Sequence, residues 1–153
     1  MRISSKAHYG LQAAYILARE NKSVSAKELE REIGVSGKYL ERIMRILTGA
    51  GVITASRGAA GGYYLAKTAK ETTAGEIVRA LEDDLEIIDC VKNDGCVKCA
   101  SNAVWKKLYN GINDILNSIT LEDMVNENPV PLKKQCECSC KECEHGSICK
   151  RNA

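Results

Sequence analysis

A chain of 153 residues, 44% of them hydrophobic and 27% charged, is long enough to bury one compact core without covalent staples. It contains no run of eighteen apolar residues, and its first ten residues, which include Arg2, Lys6 and His8, hold no apolar stretch of the signal-peptide kind. These features exclude a transmembrane helix and predict a cytoplasmic protein. The net charge of +2 conceals an asymmetry: residues 1–70 hold 12 Lys and Arg against 5 Asp and Glu, residues 71–135 hold 7 against 12, and residues 136–153 hold 3 of each. A basic N-terminal part beside an acidic one points to a polyanion-binding module.

The first helix is expected over residues 5–21, capped by Ser4 or Ser5, with Leu11, Ala14, Tyr15, Leu17 and Ala18 on its apolar side. Ser25 and Glu28 form the pattern of a capping box, which opens a short helix ending at Gly34. After the turn Gly34-Val35-Ser36, a third helix is expected over residues 37–50. Leu40, Ile43, Met44 and Leu47 make its inner stripe, while Lys38, Glu41, Arg42 and Arg45 fall on the other side. Two short helices joined by a tight turn, the second with a basic outer face, match a helix-turn-helix. Residues 52–56 and 63–66 are strand-like and flank the small, basic, glycine-rich loop 57–62. That is a β-hairpin wing. A plain three-helix core with an incidental hairpin is the blander reading, and the agreement of order, spacing and charge favours nucleic-acid binding.

A second capping box, Thr73 with Glu76, starts a helix carrying Ile77, Val78, Leu81 and Leu85. Residues 90–99 are polar and include Asn93-Asp94-Gly95, as a loop would. A long amphipathic helix follows over residues 101–117. Trp105, Leu108, Ile112, Ile115 and Ile119 repeat at alternating three and four, and Val104, Tyr109 and Leu116 widen the stripe. Such a stripe suits a homodimer interface, and a two-fold dimer suits a protein reading a palindrome; packing onto its own N-terminal domain is the alternative. Residues 120–124 form a short coda, and Pro129 and Pro131 break the chain into a tail.

In the reducing cytoplasm, the eight cysteines read as metal or redox ligands rather than as a disulfide framework. Cys90, Cys96 and Cys99 lie in one ten-residue loop, a spacing at which thiolates converge on zinc or an iron–sulfur cluster. A fourth position stays open. Asp89 and Asp94 offer oxygen, Asn102 is neutral and hard, and His8 is the better donor, arriving from across the fold or the dimer. The tail adds Cys136, Cys138, Cys140, Cys143 and Cys149 around His145, more ligands than one tetrahedral site needs. It reads as a candidate second metal site, as the donor of the missing ligand, or as a thiol-rich tail without a core of its own.

With these residues in view, the sequence resembles the IscR-type regulators of the Rrf2 family, winged-helix transcription factors, over residues 1–125. The carriers are the opening residues 1–10, the helix-turn-helix ending Tyr39-Leu40-Glu41-Arg42-Ile43, the wing residues 57–63, the loop cysteines before Trp105 and the coda 119–123. The resemblance implies a homodimeric DNA-binding regulator whose three loop cysteines hold a [2Fe–2S] or [4Fe–4S] cluster, with the former favoured. It also implies sensing of iron–sulfur status, iron, redox state or nitric oxide, and a cluster-free branch that controls cysteine metabolism. The chain departs from the family pattern in its shorter spacing between the second and third cysteines. Asn102 stands where the cluster-biogenesis regulators carry a histidine ligand, and His8 stands where nitric-oxide sensors place a carboxylate from the partner subunit.

The expectation is therefore a mainly α fold with a small β-hairpin wing. A winged helix-turn-helix domain spans residues 1–70, dimerisation helices with the cysteine loop span 71–125, and the Cys-rich tail spans 126–153. In the cytoplasm it would repress transcription by binding a palindromic double-stranded operator, under control of the cluster. Lys38, Arg42 and Arg45 would meet phosphates or base edges in the major groove, with Ser36 at the helix entry. Glu41 would accept from a cytosine amino group, and Arg57 would reach the minor groove. The rival is a cluster-free regulator acting through a protein partner. No nucleophile–base pair or phosphate-cradling loop marks an enzyme.

Overall fold

The computed structural model describes residues 3–56, 58, 61–82 and 101–127. Arg57, Leu85 and all eight cysteines lie outside the described residues. The order is α1 (Ser5–Glu20), α2 (Ala26–Ile33), α3 (Gly37–Gly49), β1 (Ile53–Ser56), β2 (Gly62–Leu65), α4 (Ala74–Leu81), α5 (Asn102–Ser118) and α6 (Leu121–Glu127). The mainly helical architecture with one hairpin is the one the sequence predicts.

Helix α1 starts where Ser4 accepts from the Ala7 N–H at 3.4 Å and ends at Asn21, which adopts the left-handed conformation. Its buried surface is far wider than one stripe: Ala7, Gly10, Ala13, Ala14, Tyr15, Ile16 and Leu17 are all buried. The small residues let neighbours come close. A Cβ at Gly10 would overlap Leu81 Cδ1 of α4 and lie 3.3 Å from Ile43 Cγ2 of α3. Helices α2, α3, α4 and α6 and strand β2 all pack on α1.

The N-cap Ser25 accepts from the Glu28 N–H at 3.3 Å, but among the described residues the return bond of the expected box is not made. In α4 the box is complete: Thr73 Oγ1 accepts from the Glu76 N–H at 3.2 Å, and Glu76 Oε2 accepts from the Thr73 N–H at 3.3 Å. The hairpin pairs antiparallel, Ile53 with Leu65 through Ser56 with Gly62. Val24 adds a bridge to it, exchanging both backbone hydrogen bonds with Tyr63 at 2.9 Å.

The coda is more than a terminus. Thr120 and Asp123 cap α6 reciprocally, and the preceding residues are stitched to the entry of α4. Ile119 O accepts from the Ala74 N–H, and Thr72 O accepts from the Leu121 N–H, both at 2.9 Å. Leu121 is fully buried in the same apolar cluster as Ile16, Ile43 and Ile77. The one core therefore runs from α1 to α6. By contrast α5 buries no residue completely. Arg79 of α4 donates to Asn117 Oδ1 of α5 at 2.6 Å and to its Asn113 Oδ1 at 3.4 Å, and Leu116 packs against the core. No helix of the described residues is long and apolar enough to cross a membrane.

Leu121→Ala should cost about 2–5 kcal/mol, because it opens a cavity in the shared core. A chemical-denaturation midpoint within error of wild type would show that the coda carries no core weight. Where α1 meets α2, Arg19 bonds both Glu20 and Glu32, at 2.8 and 2.9 Å. The Arg19 hydrogen bond holds the Glu20 carboxyl below its ordinary value of 4.5. A carboxyl lowered in the fold stabilises it fully above that ordinary value and loses this contribution as pH falls through the lowered one. Arg19→Met should therefore be less stable than wild type at neutral pH, with the gap narrowing on acidification. Parallel stability–pH curves would contradict this.

Candidate nucleic-acid interface

The α2–α3 unit is built by its turn. Helix α2 stops because Gly34 takes φ 75°, a left-handed geometry that other residues resist, and its N–H closes onto Glu30 O at 2.9 Å. Two residues later Ser36 is the N-cap of α3, in extended geometry, with its carbonyl accepting from the Tyr39 and Leu40 N–H groups at 3.0 Å each. Leu40, Ile43, Met44 and Leu47 are buried, as their spacing requires. That fixes the rotation of α3.

Lys38, Glu41, Arg42 and Arg45 are consequently all exposed on one helix, with exposed Ser36 at its entry. Glu41 and Arg45 pair at 3.0 Å, with side chains 63% and 77% exposed. An open pair of this kind contributes little stability and is easily exchanged for another partner. Lys38 and Arg42 take part in no ion pair among the described residues. Strand β1 packs against α3, so the hairpin stands beside this basic face. Its described end, Ser56, is tied across the hairpin by the Gly62 N–H donating to Ser56 Oγ at 3.2 Å. Arg57, next along the hairpin, falls outside the described residues.

His8 is exposed near the start of α1 and meets the Tyr9 ring edge-on, with centroids 5.1 Å apart. Tyr9 in turn meets Tyr39 of α3 edge-on at 6.0 Å. A short aromatic series thus joins the start of α1 to the start of α3. Among the described residues no three His, Cys, Asp or Glu side chains converge as a metal site. Two contacts escape the sequence reading. Glu82, at the end of α4, accepts from both the N–H (2.8 Å) and the hydroxyl of Ser4, tying the head of segment 83–100 to the cap of α1. Glu30 accepts from the Gly37 N–H at 3.0 Å. The first joins residues 78 apart, which no local pattern reveals; a glycine directly after the N-cap is the one sequence hint of the second.

The Rrf2 family, described as an iron-dependent transcriptional regulator, matches residues 3–127. The chain belongs to the Rrf2 family. It is 31% identical over 135 residues to the HTH-type transcriptional regulator IscR of Pectobacterium carotovorum, covering 85% of this chain and 82% of that one. Among solved structures, IscR of T. potens superposes with a TM-score of 0.68 at 35% identity, over 83% of this chain and 88% of that one. CymR, the global cysteine regulator of B. subtilis, superposes with a TM-score of 0.71 at 30% identity, over 83% and 98%. These relatives are transcriptional regulators, not enzymes. The helix-turn-helix and hairpin of this Rrf2 protein are accordingly a winged helix, and DNA is its partner.

Alanine at Lys38, Arg42, Arg45 or Arg57 should weaken DNA binding. Each lost phosphate contact should reduce the magnitude of the salt slope by about one, whereas a lost base contact should relax specificity by about 1–3 kcal/mol. Unchanged binding isotherms for all four variants, measured across a salt series, would remove these residues from the interface.

Proposed function

We propose that the chain is a homodimeric, cytoplasmic repressor that binds a palindromic operator under the control of an iron–sulfur cluster. The observation that carries the reading is the fixed, exposed presentation of Lys38, Glu41, Arg42 and Arg45 beside the hairpin. Residues 1–70 supply the reading surface, with Ser36 at the entry of α3 and Arg57 on the wing. Residues 71–125 supply the dimer contacts and the cluster loop. The apolar face of α5 supports the dimer: Val104, Leu108 and Ile115 are 61%, 46% and 61% exposed.

Cys90, Cys96 and Cys99 would hold the cluster, [2Fe–2S] in preference to [4Fe–4S]. The donor set fits such a group. Three thiolates supply soft ligands, while Asn102, three residues after Cys99, is neutral and hard and leaves the fourth position to another donor. His8 of the partner subunit is the favoured fourth ligand, since its ring is exposed and leads through Tyr9 to α3. When bound, the cluster supplies a redox-labile centre. The residues of this chain would do the rest: Glu82 ties the start of the loop segment to α1, and α1 packs on α3. The tail cysteines, Cys136, Cys138, Cys140, Cys143 and Cys149, remain a candidate second metal site or the source of the fourth ligand.

The likeness to CymR favours a second reading, a cluster-free regulator of cysteine metabolism acting through a protein partner. Anaerobic purification decides between them: the first reading expects a visible spectrum with iron and sulfide in each dimer, the second a colourless dimer. Cys90→Ser, Cys96→Ser and Cys99→Ser should each lose the iron while remaining folded dimers. Full iron in all three would move the cluster elsewhere. His8→Ala should alter the spectrum, and truncation after Pro131 should not. The reverse pattern would assign the ligand to the tail.

A further inference from the structure

Four helices of this chain begin alike. The hydroxyls of Ser4, Ser25, Thr73 and Thr120 accept from the backbone N–H three residues on, at 3.4, 3.3, 3.2 and 3.1 Å. Helix α3 departs from the pattern. Ser36 has the same extended cap backbone, φ −68° and ψ 143°, yet its hydroxyl makes no cap bond and the residue is exposed. The capping is done from elsewhere. Glu30, in the last turn of α2, accepts from the Gly37 N–H at 3.0 Å and so places its carboxylate at the positive end of the reading helix.

Gly37 leaves room for that carboxylate. A Cβ at this position would stand 3.0 Å from Glu30 Oε2 and 3.4 Å from Cδ, tighter than ordinary contact. Two sequence choices that look poor in isolation, a glycine at the first helical position and a serine cap that does not cap, are explained together by Glu30. The bond also spans the α2–α3 turn, so it fixes the angle at which α3 leaves α2.

We propose that Glu30 is a positioning residue for DNA reading: by capping α3 through Gly37 it leaves the Ser36 hydroxyl to donate to a DNA phosphate. The inference rests on the reading of α3 as the DNA-contacting helix. Without the Glu30 carboxylate, the Ser36 hydroxyl turns inward onto the free N–H groups of its own helix, as Ser4 and Ser25 do. The phosphate then loses its donor.

The test uses the full chain and a duplex enriched from a random-sequence pool by the wild-type protein, with an unrelated duplex of equal length for comparison. Ser36→Ala should weaken binding to both duplexes about three- to ten-fold, leave the salt slope unchanged because the hydroxyl is neutral, and leave the melting temperature unchanged. Glu30→Ala should weaken binding at least as much and lower the melting temperature. Adding Ser36→Ala to it should change binding less than two-fold further. Glu30→Gln keeps an oxygen for the Gly37 N–H and should restore wild-type binding. Ser36→Ala that melts earlier and binds normally would overturn the proposal, as would fully multiplicative losses in the double variant. If the wild type enriches no duplex at all, the assignment of α3 to DNA fails and takes this proposal with it. If the wild type binds and Ser36→Ala binds equally well, only this proposal fails.

Discussion

Helix α1 is covered on almost every side, and its small residues let the neighbouring helices come close. Gly10 lets Leu81 of α4 and Ile43 of α3 close onto the helix backbone together, and Ala7, Ala13 and Ala14 extend the same thin surface. A larger side chain at position 10 would have to displace one of the two. Since Ile43 also sets the rotation of α3, the close approach at Gly10 reaches through one residue to the face that carries Lys38, Arg42 and Arg45. The basic face of α3 and the C-terminal helices are therefore adjusted against the same element. Interiors packed at this density pass on displacements rather than absorb them.

The contacts at the two ends of α1 and α4 have a common character. Ser4, which caps α1, is held by Glu82, the first residue after α4. At the other end of α4, residues 72–74 are bonded to residues 119–121, so the exit of α5 is fixed to the entry of α4. Helix α5 buries no residue fully between these points; Arg79 bonds two of its asparagines and Leu116 packs against the core. Gly75 leaves room for the first of these contacts, since a Cβ there would overlap Asn117 Oδ1. Val104, Leu108 and Ile115 stay outward on the same helix.

Much of this was legible from local pattern. The inner stripe of α3, the left-handed stop at Gly34 and the Thr73–Glu76 box all follow from spacings shorter than eight residues, and the hairpin from two strand-like runs around a glycine-rich loop. The coda was not legible as core, because its apolar residues Ile119, Leu121, Met124 and Val125 are few and the burial of Leu121 depends on pairing with residues 72–74 far back in the chain. The width of the α1 core was underestimated for a related reason. Alanine and glycine give a weak hydrophobic signal, yet they mark the closest packing in the molecule. The α5 stripe was read as one seam, whereas Trp105, Ile112 and Leu116 are half-buried and Leu108 and Ile115 face outward. Periodicity finds a stripe and does not say how it is shared between neighbours. Of the candidate site residues, the structure gathers Ser36, Lys38, Glu41, Arg42 and Arg45 on one helix and places His8 apart from them, near the start of α1.

The described residues that flank segment 83–100 are held by different contacts. At the α4 end Leu81 is buried against Gly10 and Glu82 makes two hydrogen bonds to Ser4. At the α5 end no residue is fully buried and Asn102 keeps an unsatisfied oxygen. A buried acceptor without a donor costs of order 1–3 kcal/mol, so this end gains from any rearrangement that brings it one.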